Sequence, residues 1–190
     1  MSMNQIAIIY HSATGTTQRL ANAVADGVNT HPKSQALVLP IEAQQIEQGR
    51  FVANEVLDLL TGVDAMVFGS PTYMGSVSAQ FKSFADATGN YWAEQAWANK
   101  VAAGFTIGSN LGGDQKHTLE YLQTFAGQHG MFWCGLDVPG NYDPQLRNRL
   151  GTQSGLVAHS KDGVVDEKDT ALAFYLGQRV AGISHRLAST

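Results

Sequence analysis

The sequence predicts an α/β fold: a doubly wound, five-stranded parallel sheet with helices on both faces, built as a single domain over residues 1–190. Short β-rich runs alternate with segments of helical periodicity along the chain. Most of those runs are continuously apolar rather than alternating, as strands covered on both faces must be. The least regular segments fall directly after the runs, where open α/β sheets hold their ligands.

The expected strands are "QIAIIY" (5–10), "QALVLP" (35–40), "DAMVFGS" (64–70), "KVAAGFTIGS" (100–109) and "MFWCGL" (131–136). Between them, Leu20, Val24 and Val28 share one helical stripe, and Phe81, Phe84, Ala85 and Thr88 another. Leu119, Leu122, Phe125 and Ala126 form a third, and Leu172, Leu176, Val180, Ile183 and Leu187 the last. Segment 41–62 has a weaker pattern, with "EVLDLL" as its short helix. Segment 137–165 is too long for a structureless connection, and "GLVAHS" within it reads as a short strand.

Composition narrows the function. A net charge of −4 argues against a nucleic-acid partner, which would need a basic face. No apolar run reaches the length of a membrane span. The start, "MSMNQ", lacks the features of an export signal, so a cytoplasmic location is expected. Cys134 is the only cysteine and sits in an apolar run, which suits a buried, inert thiol. The histidines are scattered without carboxylates at ligand spacing, so no metal site is expected.

The first loop, "HSATGTT" (11–17), carries the chemistry. A helix start offers unpaired N–H groups and a partial positive charge. Ser12, Thr14, Thr16 and Thr17 add hydroxyls, and Gly15 permits a tight turn. A phosphate monoester fits such a cradle without a cationic side chain. The loop lacks the Gly-Lys-Ser/Thr of a Walker A motif and the three glycines of a dinucleotide fingerprint. An ordinary helix cap would account for one hydroxyl, not four.

In "GSPTYMGSVSAQ" (69–80), Pro71 ends a strand ladder, small residues surround Gly75, and Tyr73 offers an aromatic face. A cap by Ser76 or Ser78 is the simpler reading of the same segment. "FTIGSNLGGDQKHT" (105–118) is a second long loop that something must order. "GQHGM" (127–131) reads as a helix C-cap.

These segments together resemble the flavodoxin-like FMN proteins, whose sheet order is 2-1-3-4-5, and within them the WrbA-type NAD(P)H:quinone oxidoreductases. The resemblance implies FMN as cofactor, NADH or NADPH as donor, a quinone as acceptor, and a homodimer or homotetramer. It implies that Ser12, Ala13, Thr14, Gly15, Thr16 and Thr17 wrap the phosphate, and that Pro71, Thr72, Tyr73, Met74 and Gly75 border the isoalloxazine. Many members carry Arg where this chain has Tyr73. Thr106, Ile107, Gly108, Ser109 and Asn110 would offer backbone donors to the ring, with Gly113 allowing the turn. His129 would stand beside the flavin as the catalytic candidate, and Trp92 would line the substrate cavity. Arg147 and Arg149 are expected as a solvated pair, with dinucleotide phosphates as the alternative. Three rival functions stay open at this level: a flavodoxin-type electron carrier, an NADPH-dependent FMN reductase, and a binding module that has lost flavin.

Overall fold

Strand β1 (Asn4–Tyr10) is buried from Ile6 to Tyr10, so neither face can meet water and the chain must cover both. In the computed structural model, which describes residues 3–188, β1 pairs in parallel with β2 (Ser34–Pro40) on one side. On the other side lies β5 (Ala65–Pro71), followed by β6 (Val101–Gly108). Both β7 (Phe132–Trp133) and β8 (Leu156–His159) then pair in parallel with β6. The principal strands thus follow the expected order 2-1-3-4-5.

Alternation along the strands sorts two cores. Ile6, Ile8, Val67, Ala103 and Phe105 face α1 (Thr16–Asn29) and α6 (Glu167–Ala188). Ala7, Ile9, Met66, Phe68 and Ala102 face α2 (Asn54–Gly62), α3 (Ala79–Ala87) and α5 (Gln115–Gln128). On this second face Phe68, Phe81, Phe84 and Phe125 pack edge to face. The short α4 (Gly89–Ala93) follows α3.

Two expectations need correction. The run 131–136 is not one continuous strand. It pairs with β6 only through Phe132 and Trp133, the chain leaves the sheet, and "GLVAHS" returns to the same lane farther along β6. The fifth strand is therefore split by an excursion over 134–155. At its neck, Leu136 N–H donates to Gln153 O (2.8 Å), and a Cβ at Gly135 would stand 2.6 Å from that same oxygen. Segment 41–62 also holds more than a helix: a 3₁₀ turn at Ala43–Gln45 and a hairpin of β3 (Ile46–Glu47) with β4 (Arg50–Phe51) precede it. The hairpin turns through Gln48 and Gly49, both at positive φ, and seats Phe51 against Phe84.

Helices α1 and α6 lie unusually close. A Cβ at Gly27 would sit 1.9 Å from Phe174 O, and one at Gly177 would sit 2.0 Å from Val24 O. The two backbones touch, and the first turn of α6 is drawn alongside the first turn of α1, where Thr170 shares a groove with Gly15 and Gln18. The Gly177→Ala variant is expected to lose about 3 kcal/mol through overpacking against backbone. Gly182 stands in the same helix with open space around it, so Gly182→Ala gains roughly 0.5–1 kcal/mol from helix propensity. Urea unfolding of the two variants checks the opposite signs.

Candidate functional site

The carboxyl ends of β1, β5, β6 and β8 surround a crevice of about 440 Å³. That is large enough for a small cofactor. Thr14 and Thr16 of the first loop line it, as do Pro71, Thr72 and Tyr73 after β5 and Ile107, Gly108 and Ser109 at the end of β6. Three separate loops flagged by the sequence thus meet in one place.

The first loop is a built cradle. Gly15 takes a φ of 87°, which only glycine adopts without strain, and open space lies where its Cβ would be. Ser12 Oγ sits inside the turn and accepts from Gly15 N–H (3.1 Å) and Gln18 N–H (3.2 Å). It engages amides at the start of α1 that an anion's oxygen could engage, while Gly15 itself is the N-cap residue. The other hydroxyls are not used in this way. Thr14 and Thr16 pair only with each other at 3.3 Å. Thr17 is buried, and its Oγ1 has no hydrogen-bond partner. Thr16 and Thr17 open the helix, so their amides have no intrahelical acceptor. An orphaned buried hydroxyl beside free helix-start amides fits a phosphate.

After β5 the chain turns sharply. Tyr73 and Ser76 exchange backbone hydrogen bonds around Met74 and Gly75, which both have positive φ. Met74 is consequently fully exposed at the tip, and its side chain does not line the crevice. Ser78, not Ser76, caps α3 by accepting from Phe81 N–H. Thr72 Oγ1 lies 2.8 Å from both Thr106 Oγ1 and Thr118 Oγ1. This three-hydroxyl chain ties the loop after β5 to β6 and to α5.

Thr106, expected to offer a backbone donor, instead lies within the β6 ladder opposite Ser70 and Val157, and its hydroxyl is also held inside the protein. Asn110 and Gly113 stand back from the crevice and shape the loop. Asn110 O accepts from Gln115 Nε2 (2.5 Å), and a Cβ at Gly113 would stand 3.2 Å from Asn110 O. His117 Nδ1, 2.8 Å from Gly75 O, links this loop to the turn at Met74.

His129 and Trp92 lie elsewhere. Together they line a different groove, with Thr88, Tyr121 and Gln128. His129 is buried, stacked on Trp97 with ring centroids 4.2 Å apart, and flanked edge-on by Phe125. Thr88 Oγ1 donates to Ala85 O, so His129 Nε2 donates to Thr88 Oγ1 (2.9 Å) and Nδ1 is left bare and unpartnered. Burial pushes its pKa down to about 4. A neutral ring outside the crevice does not serve as its proton donor within one chain. Trp97, which the sequence left without a role, is the wall that holds this histidine.

The arginines of the excursion are neither solvated nor free. Arg149 makes a two-pronged pair with the buried Asp169 (2.8 and 2.7 Å), which also accepts from His159 N–H. Arg147 pairs with Asp143 and lies over the Tyr175 ring, 4.4 Å from its centre. Cys134 is buried, and desolvation pushes its thiol up, away from reactivity. His11 is likewise buried with an unpartnered Nδ1, and burial lowers its pKa. Among the described residues no cluster could hold a metal, and no helix is long and apolar enough to cross a membrane.

One wall of the crevice was missed. Ser160, Lys161, Asp162 and Gly163, following β8, complete its lining. The only sequence signal was a Lys-Asp-Gly turn, with Gly163 at a φ of 87°.

His129 has a measurable signature. Folding holds its imidazole neutral and moves its pKa from 6.5 to about 4. Its contribution is therefore complete above pH 6.5 and is lost as the pH falls toward 4. Between pH 7 and 4.5 the wild-type chain is expected to lose roughly 2–3 kcal/mol more in urea unfolding than a His129→Gln variant.

Comparison with known proteins agrees with this architecture. The family model described as NADPH-dependent FMN reductase matches residues 5–136, which include all three flagged loops. Flavodoxin FldP of Pseudomonas aeruginosa is 37% identical over 162 residues, covering 83% of this chain and 82% of its own. An NAD(P)H dehydrogenase (quinone) of Archaeoglobus fulgidus is 34% identical over 200 residues, covering 97% of this chain and 100% of its own. The crystal structure of the flavodoxin, WrbA-like protein from Agrobacterium tumefaciens superposes with a TM-score of 0.76 at 33% identity, over 96% of this chain and 98% of that one. The fold is flavodoxin-like and its relatives are WrbA-type; the chain belongs to the NADPH-dependent FMN reductase family.

Proposed function

We propose that this protein is an FMN-dependent oxidoreductase that moves an electron pair from NAD(P)H to a quinone. The observation that carries the reading is the convergence of three βα loops on one crevice, with Thr14 and Thr16 in its lining and the buried, unpartnered Thr17 Oγ1 next to them at the helix start. Quinone as acceptor is supported by the names of relatives that match over nearly the whole chain.

The Thr16 and Thr17 amides with the hydroxyls of Thr14 and Thr17 would hold the FMN phosphate, and Ser12 would release the Gly15 and Gln18 amides to it as the ester enters. Pro71, Thr72 and Tyr73 on one side and Ile107, Gly108 and Ser109 on the other would border the ring. When bound, FMN supplies the hydride chemistry that no side chain of this protein possesses. The chain's part is to bind, orient and polarise. Thr72 is held by Thr106 and Thr118, so the crevice wall is set before any ligand arrives. The backbone N–H of Ser109, beyond the end of the β6 ladder and in the crevice lining, is suited to stabilise negative charge on the ring edge. Tyr73 adds an exposed aromatic face at the mouth, where a flat acceptor can stack.

A second reading, a one-electron carrier, is favoured by the flavodoxin FldP match. Steady-state oxidation of NADH and NADPH with benzoquinone separates the two. Ping-pong turnover supports the reductase, and FMN binding without turnover supports the carrier. Thr17→Val is expected to weaken FMN about tenfold while leaving riboflavin unchanged, followed by flavin fluorescence. Equal losses for both flavins would remove the phosphate role.

A further inference from the structure

The phosphate cradle contains no cation of its own. Arg19, the first in the sequence after it, lies on the outer side of α1, in the groove shared with Gln18 and Thr170. The close approach of Gly27 to Phe174 and of Gly177 to Val24 sets α1 and α6 side by side, with both amino ends at the same edge of the sheet. The segment leading into α6 lines the same crevice as the first loop. It carries Lys161, the single cation among the residues lining the crevice that Thr14 and Thr16 also line.

Lys161 is exposed and makes no ion pair or hydrogen bond, whereas the nearby cation Arg149 is tied to Asp166 and Asp169. Next to it, Ser160 Oγ is buried in the crevice wall without a partner. The segment is anchored from behind, since Ser160 N–H donates to Gly108 O (3.0 Å) and His159 N–H to Asp169. Asp162, the one carboxylate in the lining, is turned onto Val164 N–H (3.2 Å). An unpaired ammonium and an unsatisfied hydroxyl on a tethered turn, facing a helix-start anion cradle, are complementary to one anionic ligand.

We propose that Lys161, assisted by the Ser160 hydroxyl, is a specificity-determining residue that closes over the phosphate of the flavin and selects the phosphorylated form against riboflavin. The assignment rests on the FMN reading above. It adds a fourth side to the site, contributed by a segment outside residues 5–136 that match the family model.

Fluorescence titration of the purified chain with FMN and with riboflavin tests it, with no turnover needed. Lys161→Gln is expected to raise the Kd for FMN about tenfold, with Lys161→Glu raising it further and riboflavin affinity unchanged. Added salt is expected to weaken FMN binding to the wild type more than to the Gln variant. If the wild type prefers FMN and Lys161→Gln prefers it equally, this assignment falls and the functional reading stands. Equal weakening of both flavins in the variant also overturns it, since the lysine would then act on the ring or on loop shape. If the wild-type chain binds neither flavin, both readings fall together.

Discussion

A strand that is apolar on both faces dictates the rest of this molecule. β1 can be buried only in the middle of a sheet with helices above and below, and parallel neighbours joined by right-handed crossovers supply that cover. Every strand of the main sheet then points the same way, so each following loop begins at one edge. The crevice is a product of that polarity. Loops gather there because every strand of the main sheet ends at that edge.

The hydroxyls at this edge divide into two kinds, and the division has chemical meaning. Thr72, Thr106 and Thr118 satisfy one another and fix the wall between β5 and β6. Thr17 and Ser160 remain unsatisfied although buried. Desolvating a hydroxyl without a partner costs roughly 1–3 kcal/mol, so a folded chain keeps such groups where a ligand offsets the loss. Ser12 limits the comparable loss at the backbone, lending its own oxygen to amides that an anion could also engage.

Much of this was readable from residue types alone. The apolar runs located β1, β5 and β6 within a residue or two, because full burial on both faces leaves no other pattern. The hydroxyl-rich and glycine-rich loops were visible because their composition suits neither strand nor helix. The fifth strand was misread because two apolar runs, around Trp133 and around Val157, share one lane beside β6, and a linear pattern carries no information on lanes. The hairpin at Ile46–Phe51 has strands of two residues, too short for any period to register. His129 and Trp92 were assigned by likeness, but the end of α5 and the short α4 bring them to a groove of their own. Lys161 lay within a segment that reads as an ordinary polar turn until the packing of α6 on α1 places it.

The excursion that interrupts the fifth strand has a narrow waist, where Leu136 meets Gln153 and Gly135 lies under the same carbonyl. Its body is riveted to α6 by Arg147 over Tyr175 and by Arg149 on Asp169. Strain or growth within this outgrowth is absorbed before it reaches the sheet, because entry and exit are cinched together. Evolution can therefore lengthen, trim or recontour this lobe while the crevice keeps its dimensions, which makes it a natural place for related proteins to diverge in size.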